Sequence, residues 1–170
     1  MSIIDLLCPR LYVSSLFDIN LEDLCQRGIR GILFDLDNTI IPRHLDDFSA
    51  EVSCWMNEVR QRNFKACIFS NNKAKRVYAL AELLGLPAVC QAAKPRRRAF
   101  RRALELMGTA PAETAIVGDQ VFTDILGGNR LGLYTILVVP MPGREFWATR
   151  LINRQLEKFV LRRLWQNKAL

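Results

Sequence analysis

"ILFDLDNTII", Ile32 to Ile41, decides how this chain is read. Ile32, Leu33 and Phe34 form an apolar run of the kind found in a strand buried on both faces of a sheet. Two carboxylates, Asp35 and Asp37, follow it with one leucine between them. Burying charge is costly unless the charge is paired or bound to a metal. Asn38 and Thr39 add two more polar groups directly afterwards. Two acids at the tip of a buried strand therefore ask for a compensating partner.

Outward from this segment, strand-like and helix-like stretches alternate from Gly28 onward. Ile29 to Asp35 reads as the first strand. Residues 50–62 place Val52, Trp55, Met56 and Val59 at helical spacing. "KACIFS" (65–70) reads as a second strand, and 73–84 as a helix ended by Gly85. "LPAVCQ" (86–91) is a weak third strand, and 96–107 is a basic helix ended by Gly108. "TAIVGD" (114–119) is a fourth strand with an acid at its tip, 122–131 a helix, and "YTILVV" (134–139) the last strand. This alternation predicts an α/β fold, a Rossmann-like parallel sheet with helices on both faces. Ligands of such sheets bind at the carboxyl ends of the strands. Asp35, Asp37, Ser70, Asn71, Lys94 and Asp119 should therefore converge on one edge. Pro140, Pro142 and Gly143 interrupt the chain, which divides it into a domain over 1–143, with its core at about 28–140, and a basic amphipathic helix over 144–170.

The 170 residues, half of them hydrophobic, suit one globular domain with a real core. The net charge of +7 and pI of about 9.5 favour anionic partners such as nucleic acid, acidic lipid head groups or phosphorylated metabolites. The five cysteines are widely spaced without a CxxC, which predicts reduced thiols and a cytoplasmic protein. His44 is the sole histidine, so zinc sites and histidine-based triads are nearly excluded. The N-terminal segment has no basic run, and Asp5 breaks its apolar stretch, so a signal peptide is not expected. No stretch of about 18 apolar residues predicts a membrane span.

Four motifs stand in order at the predicted strand ends: "DLDNT" (35–39), "FSN" (69–71), Lys94 in "AKP" (93–95) and "GDQVFTD" (118–124). Singly, each has an ordinary reading: a surface DxD, a turn serine, a loop lysine, an aspartate capping a helix. Together and in this order they resemble the haloacid dehalogenase (HAD) superfamily of phosphatases. "SNN" (70–72), "KP", "GDQ…TD", "GGNR" (127–130) and "TILVVP" (135–140) resemble the YqeG branch of its subfamily IIIA. The likeness runs from about Leu16 to about Arg154. Bacterial members of that branch are similar to phosphatidylglycerophosphate phosphatases of mitochondria and chloroplasts.

The resemblance implies a Mg²⁺-dependent phosphomonoester hydrolase acting through an aspartyl-phosphate. Phosphoryl transfer needs an in-line nucleophile and positive charge around the equatorial oxygens. Asp35 is then the nucleophile, and Asp37 the general acid and later base. Ser70 and Asn71 hydrogen-bond the phosphoryl oxygens, Lys94 orients Asp35, and Thr39, Arg96 and Arg97 complete the substrate side. The metal set is Asp35, the Asp37 carbonyl and Asp119, with Asp124 close by or through a water; hard oxygen ligands suit Mg²⁺.

Spacing adds one expectation. Only 34 residues lie between Asp35 and Ser70, and 23 between Ser70 and Lys94. A strand-helix-strand crossover uses most of each interval, so no cap domain fits and the site is open. An open site suits a large or anchored substrate. "KPRRRAFRR" (94–102) sets a basic run beside it, read as capture of a polyanion or as a solvated helix face. In the tail, Arg150, Arg154, Lys158 and Arg162 form a stripe mixed with Trp147, Leu151, Leu161 and Trp165. It reads equally as an interfacial membrane helix or a docked amphipathic one. "IIDLLCPRLYVSSLF" (3–17) reads as a strap across the core rather than a membrane contact.

The resulting expectation is a phosphatase of an anionic phospholipid, phosphatidylglycerophosphate, with peripheral contact to the inner face of the membrane. A phosphatase of a soluble nucleotide or sugar phosphate is one alternative. An RNA- or ribosome-binding module on the same scaffold is another, but the chain lacks the aromatic-rich strand motifs of a single-strand RNA platform.

Overall fold

The computed structural model describes residues 3–141. The basic helix expected over 144–170 lies outside the described residues. Along the chain run α1 (Ile3–Leu7), β1 (Leu11–Val13), α2 (Leu21–Gln26), β2 (Gly31–Phe34), α3 (Ala50–Gln61) and β3 (Lys65–Phe69). They are followed by α4 (Ala74–Leu83), β4 (Ala88–Val89), α5 (Arg97–Met107), β5 (Thr114–Gly118), α6 (Leu126–Asn129) and β6 (Tyr134–Val138).

The six strands pair in parallel in the order β1-β6-β5-β2-β3-β4. From β2 the chain builds outward through β3 and β4, then returns to the other side with β5 and β6. The order therefore reverses between β2 and β5, the place where sheets of this kind bind ligands beyond the carboxyl ends of the strands. Within β2, successive side chains feed opposite faces. Ile32 and Phe34 join the core under α2, α3 and α4, and Phe34 meets Trp55 edge-on at 5.8 Å. Leu33 joins the core under α5, where Phe69 and Phe100 meet at 4.5 Å. Helices on both faces explain why β2 is apolar throughout rather than alternating.

The helices end as their residues dictate. The Ser49 hydroxyl accepts from the Val52 N–H and starts α3. Gly108 ends α5 in the left-handed conformation at φ 61°. "GGNR" proves to be packing. A Cβ on Gly127 would run into the Phe100 ring, and one on Gly128 into Ile116 and Thr135.

Asn129 ties down the N-terminal segment, as the strap reading requires. Its Nδ2 donates to the carbonyls of Leu6 (2.9 Å) and Cys8 (2.8 Å), and its Oδ1 accepts from Thr135 Oγ1 (3.0 Å). Leu7 and Tyr12 pack against Val121, Ile125 and Leu137. The strap contributes β1, a three-residue edge strand beside β6 that is too short and half-buried to show a pattern in sequence. The helix expected over 122–131 is a π-helical turn, Val121–Ile125, running into the short α6. Wide turns of this kind cluster at functional sites, and this one carries Asp124.

Candidate active site

Three carboxylates meet at the reversal between β2 and β5. Asp35 follows β2 directly, and its N–H bonds the Val117 carbonyl of β5 at 2.9 Å. Asp119 follows Gly118 at the end of β5. Asp124 returns from the π-helical turn, its Oδ2 accepting the Gln120 N–H at 3.2 Å. One oxygen from each of Asp35, Asp119 and Asp124 lies within 4.8 Å of the others, and all three residues are buried. Gly118 makes the approach possible: a Cβ there would occupy the place of the Asp124 carboxylate.

Lys94 enters from the loop after β4 and is 7 % exposed. Its ammonium donates to Asp35 Oδ1 (2.5 Å) and the Phe69 carbonyl (2.9 Å), and pairs with Asp124 Oδ1 (2.7 Å). These contacts occupy the three protons of an ammonium. Burial alone would lower the lysine's pKa, but Asp124 and Asp35 outweigh it and hold Lys94 above the ordinary lysine range. For Asp35 the balance goes the other way. Burial pushes its carboxyl up to about 6 against the pull of Lys94, with Asp124 and Asp37 adding repulsion.

Charge decides what this pocket can hold. Three buried carboxylates gather around one buried ammonium, so the cluster is rich in negative charge. Carboxylates brought this close in a low-dielectric interior repel one another. A divalent cation suits such a cluster in sign and donor type. The residues therefore fit a hard metal ion.

Around this pocket lies a second layer. Asp37, partly exposed, accepts from Asn72 Nδ2 on one oxygen (3.0 Å) and Arg76 Nε on the other (3.3 Å). Thr39 Oγ1 reaches Asp35 Oδ2 at 3.4 Å, so Thr39 sits beside the proposed nucleophile. Ser70 is buried at the tip of β3, its Oγ accepting the Asn72 N–H at 3.1 Å. Asn71 accepts the Lys94 N–H on its Oδ1 at 2.8 Å, so its amide oxygen secures the lysine segment. Arg96 caps the start of α5 and Arg97 begins it; both side chains are exposed. Asn38 takes positive φ (61°), and its turn is bonded from Asn38 N to Ile41 O, from Arg43 N to Asn38 Oδ1 and from Met141 N to Asn38 O.

Of the residues named from sequence, Asp35, Ser70, Lys94, Asp119 and Asp124 come together at the strand ends, with Asp37, Thr39 and Asn71 around them. Sequence reasoning missed Asn72, Arg76 and Gly118. A signal existed for Gly118, since a glycine directly before a strand-end acid marks a close approach. Arg76 lies among several cations in "KAKR", and only the fold separates it from them.

Comparison with known proteins gives the family. A HAD-hydrolase-like family model matches residues 91–139, which include Lys94, Asp119 and Asp124. The "Probable phosphatase YqeG" of Bacillus subtilis (strain 168) is 39% identical over 153 residues, covering 90% of this chain and 88% of that one. The chain belongs to the YqeG family of HAD phosphatases. A "Phosphatidylglycerophosphate phosphatase 1, chloroplastic/mitochondrial" of Arabidopsis thaliana is 28% identical over 178 residues, covering 95% of this chain and 49% of that one. This YqeG-family chain thus spans about half the length of that plant relative. Its fold matches the cobalt-bound deoxy-D-mannose-octulosonate 8-phosphate phosphatase of Haemophilus influenzae, with TM-score 0.54, 13% identity and coverage of 66% and 69% of the two chains. Among the described residues, no helix is long and apolar enough to cross a membrane.

Proposed function

We propose that this phosphatase is Mg²⁺-dependent, acts through an aspartyl-phosphate on Asp35, and removes the terminal phosphate of phosphatidylglycerophosphate. The observation that carries the chemistry is the buried Asp35, Asp119 and Asp124 cluster, whose oxygens lie close enough together to share a metal ion. These carboxylates, with the Asp37 carbonyl, would hold the Mg²⁺, which offsets their repulsion and screens the phosphoryl oxygens when bound.

The chain's own residues then divide the work. Lys94 holds one Asp35 oxygen and so fixes the carboxylate for attack on phosphorus. As the Asp35 oxygen–phosphorus bond forms, the ester oxygen–phosphorus bond breaks. Asp37 gives its proton to the departing alkoxide. Ser70, and Asn71 through its NH₂ group, donate to the phosphoryl oxygens. In the second step Asp37 takes a proton from water, whose oxygen attacks phosphorus, and phosphate leaves with Asp35 restored.

Two features support a lipid substrate, beside the names borne by relatives. The intervals between the motifs hold only the crossovers α3 and α4, so among the described residues no cap domain is inserted there. The carboxyl edge of the sheet also carries exposed apolar side chains, Leu45 after the Asp37 turn, Phe122 in the π-helical turn and Val139 beyond β6. Exposed Arg43, Lys73, Arg96 and Arg97 flank them. Apolar side chains among cations suit an anionic bilayer surface, which would place the protein at the membrane's cytoplasmic face.

The test is phosphate release from phosphatidylglycerophosphate in vesicles, beside a panel of soluble phosphate esters, with and without Mg²⁺. Release from the lipid that needs Mg²⁺ and vanishes in Asp35→Asn is the expected result. Release from soluble esters alone keeps the mechanism and overturns the substrate.

A further inference from the structure

We propose that Arg76 is a positioning residue: it holds the Asp37 carboxyl in place for proton transfer and latches the loop 42–49 beside it. The inference rests on the acid–base role given to Asp37 above. Arg76 sits in the first turn of α4, which begins four residues after Ser70. Its Nε donates to Asp37 Oδ1 at 3.3 Å, its Nη2 to the Leu45 carbonyl at 2.7 Å, and its Nη1 pairs with Asp46 Oδ1. One guanidinium thus joins the proposed proton carrier to two points of the loop that follows it. Its planar, forked donor set suits this task better than a lysine's single nitrogen would.

The ordinary reading is a surface ion pair of little consequence. That reading fits the Asp46 contact, whose carboxylate is 88% exposed. It does not fit the inner contact, where the Arg76 and Asp37 side chains are 18% and 17% exposed. Asn72 and Arg76, four residues apart, take one Asp37 oxygen each and so fix the plane of the carboxyl group. As a carboxylate Asp37 keeps both bonds while it accepts a proton from water. As an acid it keeps the bond to its carbonyl oxygen and gives its proton from the other. Either way the group is oriented before the reaction begins, and small misplacements of such groups are costly in rate.

Leaving groups expose this role. An alkoxide needs the Asp37 proton as it departs, whereas p-nitrophenolate does not. The value of kcat/KM reports events up to the first irreversible step. We compare kcat/KM for an alkyl ester (phosphatidylglycerophosphate in mixed micelles, with glycerol phosphate) and for p-nitrophenyl phosphate. Arg76→Ala should lower the alkyl value roughly tenfold or more and the aryl value less than about threefold. Arg76→Lys, which can keep one bond to Asp37 but not the fork to the loop, should recover part of the loss. The ratio of the two values in one preparation does not depend on the fraction folded. Equal losses on both esters overturn the proposal. If Asp37→Asn itself shows no larger loss on the alkyl ester, the fault lies in the role given to Asp37.

Discussion

Asp35 and Asp37 are separated by one residue and live in opposite surroundings. Asp35 belongs to an inner pocket of three buried carboxylates in which a buried lysine pairs with Asp35 and Asp124, and its carboxyl is pushed up to about 6. Asp37 belongs to an outer layer where Arg76 and Asn72 hold it at the border of solvent. The inner pocket gathers three carboxylates, whereas Asp37 has a guanidinium on its own side of the site, Arg76. That contrast separates two jobs. On the proposed mechanism, the nucleophile sits among the carboxylates that would hold the metal. A group that exchanges protons with an alcohol and with water sits where both can reach it.

The largest expected effects set the two layers apart. Asp35→Asn and Asp37→Asn should each lower turnover by roughly a thousandfold or more, since one removes the proposed nucleophile and the other the proposed proton carrier. Their stabilities should differ. Because the folded pKa of Asp35 lies above its unfolded value, the native state holds a proton that the unfolded chain has lost. Its contribution to stability therefore falls as pH rises from about 4 to about 6. Metal-free Asp35→Asn should melt above the parent at pH 8, with the gap closing toward pH 4. Asp37→Asn, which breaks the pair with Arg76, should not melt above the parent at pH 8. Thermal melts at both pH values in a chelator check this. Equal behaviour of the two variants would erase the distinction between the layers.

Next in size is Gly118→Ala. Its Cβ would displace the Asp124 carboxylate, and roughly a tenfold to hundredfold loss of activity should follow, with a higher Mg²⁺ requirement measured by titration. A loss with an unchanged Mg²⁺ requirement would show that Asp124 serves only Lys94. Mg²⁺ itself should raise the melting temperature at pH 8. Free ion at a hundred times its dissociation constant corresponds to about 2.7 kcal/mol. The shift should shrink at pH 5, where Asp35 holds its proton, and vanish in Asp119→Asn. The smallest effect belongs to Asp46→Asn, which removes an exposed partner of Arg76 and should change activity less than about threefold.

The inner pocket was far more legible in sequence than the outer layer, and for a physical reason. Asp35, Ser70, Lys94 and Asp119 each stand at or just after the carboxyl end of a parallel strand, so strand recognition alone places them together. Asp124 is expected from sequence close to the metal or bound through a water, and its arrival in the carboxylate cluster depends on a π-helical turn and on the missing side chain of Gly118. Arg76 points back from a helix to a loop about thirty residues earlier, and no local pattern encodes that meeting. The strap was assigned to the core, but its strand β1 was missed: three residues paired on one side give no period to read. The terminal helix expected over 144–170 lies outside the described residues.

One measurement tests the division between Asp35 and Asp37 most directly. The protein is incubated with substrate carrying labelled phosphate, quenched in acid, and the protein-bound label is counted and mapped. The account predicts label on Asp35 that hydroxylamine releases, more of it in a variant that still transfers but hydrolyses slowly (Asp37→Asn with an aryl ester), and none in Asp35→Asn. Undiminished turnover with no protein-bound label in either the parent or Asp37→Asn would mean that water attacks phosphorus directly, and would contradict the account.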